Sequence, residues 1–309
     1  MQSTNNKVAS RLNKSLKKVP DWASNLGLPA KFFEQYIAGQ GNILLAIDGF
    51  FGLFSLGMDE IKRSLLAANS GNTKVATNSM NSGFRRILYA SQIEILMATN
   101  SDGSQDCIEN LDGATQLMLG ALSTGAPELV NPFYRVLLEN LSSGFGVGDG
   151  HNPPLGTTLR YAAFGLTIIG DWLGKPLDLD KHALPRDPAW GQLVAHWREP
   201  DPEKFLPVIL AACDTHVERI ALTEKEDDSG HFEFGSVFLA VHPTEILAVL
   251  RLRDMLGLPN PAYIDHPLMQ TPYAAITCLP GDVTERDELL ENFLAVVRQR
   301  DPQVLPVGI

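Results

Sequence analysis

Apolar residues recur every three or four positions along most of this chain, which is the spacing that places them on one face of an α-helix. The pattern is clear after Asp201, where apolar side chains recur from Leu206 to Ile220. Asp is a favoured N-cap residue, and Pro202 occupies the first helical position, where proline is well tolerated. The sequence therefore predicts a helix that begins directly after Asp201.

A second helix with strong end signals is predicted near the C-terminus. Thr284 and Asp287 resemble a capping box, an apolar stripe runs from Leu290 to Val297, and Pro302 ends the periodic segment. The same periodicity predicts further helices over about Pro29–Gln40, Asn42–Phe54, Met58–Ala68, Val75–Thr99, Asp106–Leu122, Pro132–Ser142, Leu155–Leu173, Pro188–Arg198 and Pro243–Leu256.

Signals for β-structure are few. His231–Phe234 alternates between polar and apolar residues, and Ala275–Leu279 is a short apolar run. The chain is therefore predicted to be all-α, an irregular multi-helix bundle with little or no β-structure. Residues 1–20 are expected to form a basic N-terminal helix and residues 21–309 a single helical domain. A boundary between two lobes near 144–188 is the alternative.

Charge is distributed unevenly along the 309 residues, which carry a formal net charge of −11. The first 20 residues hold five basic side chains and no acidic one, so the rest of the chain is more acidic than the total suggests. An acidic body repels phosphate backbones, which argues against nucleic acid as the main ligand. It attracts a basic protein instead.

Cysteine usage and hydropathy indicate the compartment. Cys107, Cys213 and Cys278 are isolated from one another, as expected of thiols in a reducing environment. The longest apolar run, Ile43–Gly57, is too short for a membrane span and contains Asp48. The N-terminus lacks the apolar segment of a secretory signal. We therefore expect a cytoplasmic protein that does not bind membranes.

The stretch GFGVGDGHNPP, from Gly144 to Pro154, resembles a phosphate-binding loop in its glycine content. A dinucleotide-binding loop requires a preceding strand and a following helix, whereas a predicted helix precedes this stretch and two prolines follow. A P-loop requires Ser or Thr after Gly-Lys, but Pro176 follows Lys175. The pattern instead indicates a helix C-cap at Gly144 and a connector.

No catalytic motif or metal-binding motif is present, so we expect a protein that is not an enzyme and needs no cofactor. His242, Glu245, Asp265 and His266 are the one set of residues whose spacing suggests a cation site, as in a helical metal-dependent hydrolase. The alternative is structural: the first pair begins a helix, and the second pair caps the segment opened by Pro267. The structural interpretation is favoured.

The densest acidic cluster lies in EKEDDSGHFE, where only Lys225 opposes the negative charges. Such a run is usually a solvated loop, but loops also supply many recognition sites. The candidate residues for binding a basic protein are Glu224, Glu226, Asp227, Asp228 and Glu233.

The segment from Val241 to Ile276 contains a group of motifs: His242–Pro243, Glu245–Ile246, Leu252–Pro259 and Asp265–Leu268. In these residues and, more weakly, in Tyr161–Phe164, the chain resembles mostly helical immunity proteins from bacterial polymorphic-toxin systems, including type VI secretion loci. The segment corresponds to the C-terminal part of those proteins.

This resemblance implies an immunity protein that binds and neutralises a cognate secreted toxin. Because nuclease toxins are typically basic, an acidic inhibitor in the cytoplasm suits a nuclease effector. Two alternatives stay open: the metal-dependent hydrolase described above, and a chaperone or adaptor that binds the effector without inhibiting it.

Overall fold

The computed structural model describes residues 2–100, 110–142, 144–147, 153–154, 156–283 and 285–305. Over these residues the chain forms fourteen α-helices and no β-strand, which confirms the predicted all-α architecture. The helices are α1 (Gln2–Ser24), α2 (Lys31–Ile37), α3 (Ile43–Ile47), α4 (Leu53–Asn69), α5 (Thr73–Asn100), α6 (Leu111–Ser123), α7 (Val130–Ser142), α8 (Arg160–Trp172), α9 (Pro188–His196), α10 (Pro202–Glu218), α11 (Glu224–Asp227), α12 (Val237–Val241), α13 (Thr244–Met255) and α14 (Glu288–Arg300).

Helices whose start is encoded locally begin where the sequence predicts. The Asp201 carboxylate accepts the backbone N–H of Glu203 at 3.0 Å, and Pro202 is the first residue of α10. Asp187 caps α9 in the same way, accepting the backbone N–H of Trp190 at 3.1 Å. The carboxylates thus satisfy N–H groups that the first turn leaves without a partner, one in α10 and two in α9.

The boundary between α3 and α4 differs from the prediction of helices over Asn42–Phe54 and Met58–Ala68. Asp48 ends α3, because its carboxylate accepts the backbone N–H groups of Phe50 at 2.8 Å and Phe51 at 2.9 Å. This side chain stabilises a turn in place of the next helical hydrogen bonds. The following helix therefore begins at Leu53, five residues before the predicted start.

The last helix also begins later than predicted. Thr284, the predicted start of the capping box, lies outside the described residues. The N-cap of α14 is Asp287, whose carboxylate accepts the backbone N–H of Leu290 at 3.1 Å. Arg86 of α5 donates to the same carboxylate at 2.7 Å, so the start of α14 is fixed to α5 as well.

The predicted helix C-cap at Gly144 is confirmed. Gly144 has a φ of +94°, in the left-handed region that favours glycine, and its N–H donates to the carbonyl of Leu141 at 3.0 Å. The next N–H, of Phe145, donates to the carbonyl of Asn140 at 3.0 Å. Residues 148–152 of the glycine-rich stretch lie outside the described residues.

The two segments with strand signals form only isolated bridges. Phe234 pairs with Ile220, and Cys278 pairs with Thr124, each as a single parallel bridge. One bridge does not make a strand, so these contacts serve to fasten loops to the ends of helices.

Close packing between α4 and α5 depends on two facing glycines. A Cβ atom on Gly57 would lie 2.9 Å from the carbonyl oxygen of Gly83, and a Cβ on Gly83 would lie 2.9 Å from the carbonyl oxygen of Gly57. Side chains at either position would push the helices apart. This contact aligns the two helices that form the apolar wall of the cleft described below.

The buried apolar side chains form one cluster that includes residues from both sides of segment 144–188. α1 belongs to it, because Leu12, Val19 and Ala23 are buried. The basic helix thus continues past residue 20, to Ser24, and packs against the rest of the chain. None of the described helices combines the length and the apolar character that crossing a bilayer requires.

Candidate functional site

The acidic segment forms a loop between α10 and α12, which we call the acidic loop (residues 223–235). It opens with the single turn of α11, where the hydroxyl of Thr223 accepts the backbone N–H of Glu226 at 3.2 Å. The turn carries three acidic residues, Glu224, Glu226 and Asp227. Local capping therefore shapes the part of the loop with the highest charge.

Glu226 fastens the acidic loop to α1. Arg11 donates to both carboxylate oxygens of Glu226, at 2.8 and 3.1 Å, and also to the carbonyl of Ile220 at 2.7 Å. The backbone N–H of Leu222 donates to the same carboxylate at 2.7 Å. Hydrogen bonding from Arg11, followed by that from Leu222, lowers the pKa of Glu226 to about 2. Glu226 is thus already engaged by the chain's own arginine.

Glu233 lies inside the protein, and its side chain is 0% exposed. Its carboxylate accepts hydrogen bonds from Arg219 at 2.8 Å and from the indole N–H of Trp190 at 2.8 Å, and Arg160 lies 3.4 Å away. Burial raises the pKa of Glu233 to about 7, against the opposing influence of these donors. This residue holds the end of the loop against α9 and α10, and only its main chain is accessible to a partner.

Three of the five acidic candidates remain on the surface: Glu224, Asp227 and Asp228. No cation in the described part of the chain forms an ion pair with any of them. Burial of part of its surface, together with the neighbouring charge of Asp228, raises the pKa of Asp227. The loop therefore exposes unneutralised carboxylates, one of which is partly desolvated.

A cleft of about 350 Å³ lies beside the acidic loop. Its apolar wall comes mainly from α4 and α5, through residues such as Phe54, Met58 and Phe84, and α12 contributes Phe238. Its polar lining comes from α6, α8 and the acidic loop. The main polar contributors are Asp112, Gln116, Tyr161, Asp227 and Glu233.

Asp112 has a structural role at the polar end of the cleft. Leu159 precedes α8 with a φ of +57° and has no side-chain oxygen with which to cap the helix. Asp112 of α6 replaces that cap, accepting the N–H groups of Thr158 at 2.7 Å, Leu159 at 3.2 Å and Ala162 at 2.8 Å, as well as the hydroxyl of Thr157 at 2.7 Å. Its donors are neutral, so both of its oxygens are hydrogen-bonded but it forms no ion pair within the described chain.

Tyr161 is the one polar side chain of the cleft that is both fully buried and unpartnered among the described residues. It is 2% exposed, and its hydroxyl makes no hydrogen bond. Edge-to-face contacts with Trp190 and Phe234 fix the ring. Burial, and then the charges of Glu245, Glu233 and Asp112, raise its pKa well above the usual value. The hydroxyl is therefore a neutral, unused hydrogen-bonding group.

The four residues considered as a cation site are separated. His242 is fully buried, with its ring nitrogens 2.9 Å from the hydroxyl of Thr244 and 3.2 Å from the carbonyl of Ile276. Glu245 is also buried, but its carboxylate contacts a different histidine, His216, at 2.7 Å. His242 is thus occupied within the core, and Glu245 bonds His216 through one oxygen while its Oε2 has no partner among the described residues.

The second pair makes different contacts. His266 caps a 3₁₀ turn by accepting the backbone N–H of Leu268 at 3.2 Å, as the structural interpretation predicts, and its other ring nitrogen is 3.3 Å from Asp214. Asp265 is exposed. Within the described ranges, no three His, Cys, Asp or Glu side chains are grouped so as to hold a metal ion. The geometry therefore gives the metal-dependent hydrolase no support.

Residues that underlie the resemblance to immunity proteins have structural roles here. Arg253, within the Leu252–Pro259 run, is 0% exposed and donates to the carbonyls of Trp197 at 2.7 Å and Glu199 at 2.9 Å. Its guanidinium also lies 3.9 Å from the ring centroid of Phe205. It fixes the chain around the C-terminal end of α13, so this run is explained by folding.

Sequence reasoning identified the acidic loop but missed the cleft beside it. The cleft residues Asp112, Gln116 and Tyr161 lie on α6 and α8, far along the chain from Asp227. In the sequence these three residues are ordinary members of predicted helices, and no local pattern distinguishes them. Long-range packing, which no local pattern reports, creates the site.

Comparison with other proteins supplies no relative for this chain. No protein-family model, no curated protein and no solved structure matches it. The residues of the site are therefore the basis on which a function has to be inferred.

Proposed function

We propose that this protein is an immunity protein that binds and neutralises a cognate secreted antibacterial toxin in the cytoplasm. The proposal combines the resemblance of segment 241–276 with the surface of the acidic loop. In this view the protein performs no chemistry, and recognition of another polypeptide is its whole activity.

The observation that supports the proposal most directly is the position of the acidic loop at the edge of the apolar cleft. Asp227 lines the cleft, while Glu224 and Asp228 are exposed on the same short turn. Protein interfaces commonly combine a buried apolar centre with a charged rim that steers the partner. Here both parts lie together, and Arg11 and Glu233 hold the loop in place without using its exposed carboxylates.

The charge of the chain favours a basic toxin, most simply a nuclease. The net charge of −11 attracts a protein whose own surface is built to bind phosphate. A nuclease attacks a target inside the cell, where an inhibitor made in the cytoplasm would meet it.

The decisive experiment is co-expression with the toxin domain encoded beside this protein's gene. We expect the protein to restore growth of cells that produce the toxin, and to elute with it as a stable complex in size-exclusion chromatography. In the purified complex, we expect nuclease activity on added DNA or RNA to be abolished. Failure to form a complex with the adjacent toxin would contradict the proposal.

The same preparation separates an immunity protein from a chaperone or adaptor. A chaperone would raise the yield of the toxin and bind it, but the complex would retain nuclease activity and cells would not be protected. A bound and fully active toxin would therefore replace our proposal with that alternative.

A further inference from the structure

We propose that the cleft beside the acidic loop binds the side chain of an arginine on the partner protein. The guanidinium group would occupy the polar end, near Asp227, Asp112 and Tyr161, and the aliphatic part would lie along the apolar wall. The inference rests on the proposed function, since the arginine belongs to the toxin. It is argued separately, from the residues that line the cleft.

Charge is the first reason for assigning a cation. Asp112, Asp227 and Glu233 line the cleft, whereas no Lys, Arg or His is among the described residues that line it. The charge of Glu233 is balanced by Arg219. Asp112 accepts hydrogen bonds only from neutral donors, and Asp227 has no ion pair within the described chain. A cation entering the cleft would meet the exposed carboxylate of Asp227, and Asp112, which has no ion pair within the described chain, would add a second negative charge nearby.

The buried hydroxyl of Tyr161 is the second and independent reason. A buried hydroxyl without a partner destabilises a folded protein, so such groups are usually explained by a ligand or a function. The side-chain amide of Gln116, also in the lining, makes no hydrogen bond with the described residues. Both oxygens can accept from the N–H groups of a guanidinium, which has five donors and no acceptor.

The aromatic lining favours arginine over lysine. Phe54, Phe84, Phe232 and Phe238 all border the cleft. A guanidinium is planar and weakly hydrated, so it stacks on aromatic rings and leaves water more easily than an ammonium group does.

The acidic loop already binds one arginine in this manner. The guanidinium of Arg11 lies 4.8 Å from the ring centroid of Phe232 and pairs with Glu226. The cleft side of the loop repeats the combination, since Phe232 and Asp227 both line it. The volume of about 350 Å³ is at the small end of the range for ligand pockets, which suits one long side chain better than a folded segment.

The test uses the purified full-length protein and two small probes, N-acetyl-arginine methylamide and its citrulline analogue. Citrulline has nearly the shape of arginine but a neutral urea group, so the pair isolates the contribution of charge. We expect ligand-observed NMR titration to show that the arginine probe binds at least about tenfold more tightly than the citrulline probe.

Three variants locate the binding. Asp227→Asn keeps the size of the side chain and should weaken binding of the arginine probe by about tenfold, because it removes a charge-assisted hydrogen bond. Tyr161→Phe should weaken binding by about threefold while leaving the thermal unfolding temperature unchanged or higher, since it removes an unsatisfied buried hydroxyl. Asp228→Asn, one residue from Asp227 but outside the cleft lining, is the control and should retain the wild-type affinity.

Equal binding of the two probes, or no binding of either up to about 20 mM, would overturn the inference. So would a toxin complex whose affinity is unchanged by both Asp227→Asn and Tyr161→Phe, although the proposed function would then stand. Conversely, arginine-selective binding by a protein that forms no complex with the adjacent toxin would reject the proposed function and leave the cleft as a site for arginine.

Discussion

His242 shows how the fold fixes the protonation of a single side chain. One ring nitrogen faces the carbonyl of Ile276, which requires an N–H, and the other faces the hydroxyl of Thr244, which can donate to it. Burial lowers the pKa of His242 to about 4. Between about pH 6.5 and pH 4, His242 is therefore neutral in the folded protein but binds a proton in the unfolded chain.

This difference makes the stability of the protein depend on pH. The contribution of His242 is fully present above the unfolded pKa of about 6.5 and is lost as the pH falls towards 4, because only the unfolded chain takes up the proton. Each pKa unit corresponds to about 1.4 kcal/mol, so the loss is on the order of 3 kcal/mol. In the variant His242→Gln, we expect urea unfolding at pH 7 and pH 4.5 to show a smaller acid-induced loss than in the wild type.

The control for this prediction is exposed His196, whose replacement by Gln should leave the acid-induced loss unchanged. An identical loss in His242→Gln and the wild type would show that His242 does not titrate on unfolding in this range.

Residues that act on their immediate neighbours could be predicted from the sequence, and residues that act at a distance could not. Asp201 and Gly144 were identified because a cap bonds backbone groups a few positions away. Glu233 was expected on the surface because its neighbours are acidic and polar. Its actual partners, Arg219 and Trp190, lie 14 and 43 positions earlier in the chain and become neighbours only in the fold.

At the scale of elements, the start of α8 depends on a residue of another helix. Sequence periodicity placed this start near Leu155, because apolar spacing is all that local reasoning can use there. In the structure Leu159 adopts a left-handed conformation, and Asp112 of α6 supplies the cap. Thr157 and Thr158 accept the N–H groups of Leu159 and Arg160, each at 3.2 Å, and are local signals for this start. The larger part of the cap comes from Asp112 on another helix, which no pattern next to α8 can indicate.

We therefore expect Asp112→Asn to loosen the N-terminus of α8. Both carboxylate oxygens of Asp112 accept hydrogen bonds, but an asparagine has only one acceptor oxygen. Its NH₂ group would therefore face a backbone N–H group, and two donors cannot form a hydrogen bond. The expected loss of stability is about 2 kcal/mol. Hydrogen exchange should accelerate at the amides of Thr158, Leu159 and Ala162, whereas Glu203 at the start of α10 serves as an unaffected reference. Unchanged protection at these three amides would contradict the assigned role of Asp112.

At the scale of the whole molecule, the fold class was predictable because helical periodicity is repeated in nearly every segment. The cleft was not, because its lining runs from Phe54 to Leu239 and requires the positions of at least five helices. The close contact of Gly57 with Gly83, which positions the wall of the cleft, could not be predicted either. Glycine in a sequence usually indicates a break in secondary structure and not a contact between helices. Periodicity reports which residues are buried but not which buried faces leave space between them.

The acidity of the whole molecule leads to a kinetic prediction about toxin binding. If the exposed carboxylates of the acidic loop steer a basic toxin, then the double variant Asp227→Lys, Asp228→Lys should associate about tenfold more slowly than the wild type at low ionic strength. The matched control is Glu139→Lys with Asp265→Lys, two exposed acidic residues outside the cleft lining, which changes the net charge by the same amount. Stopped-flow measurements at several salt concentrations should show that only the first variant loses most of the salt dependence of the association rate. Equal rates for the two variants at low salt would mean that total charge, and not the acidic loop, guides the encounter.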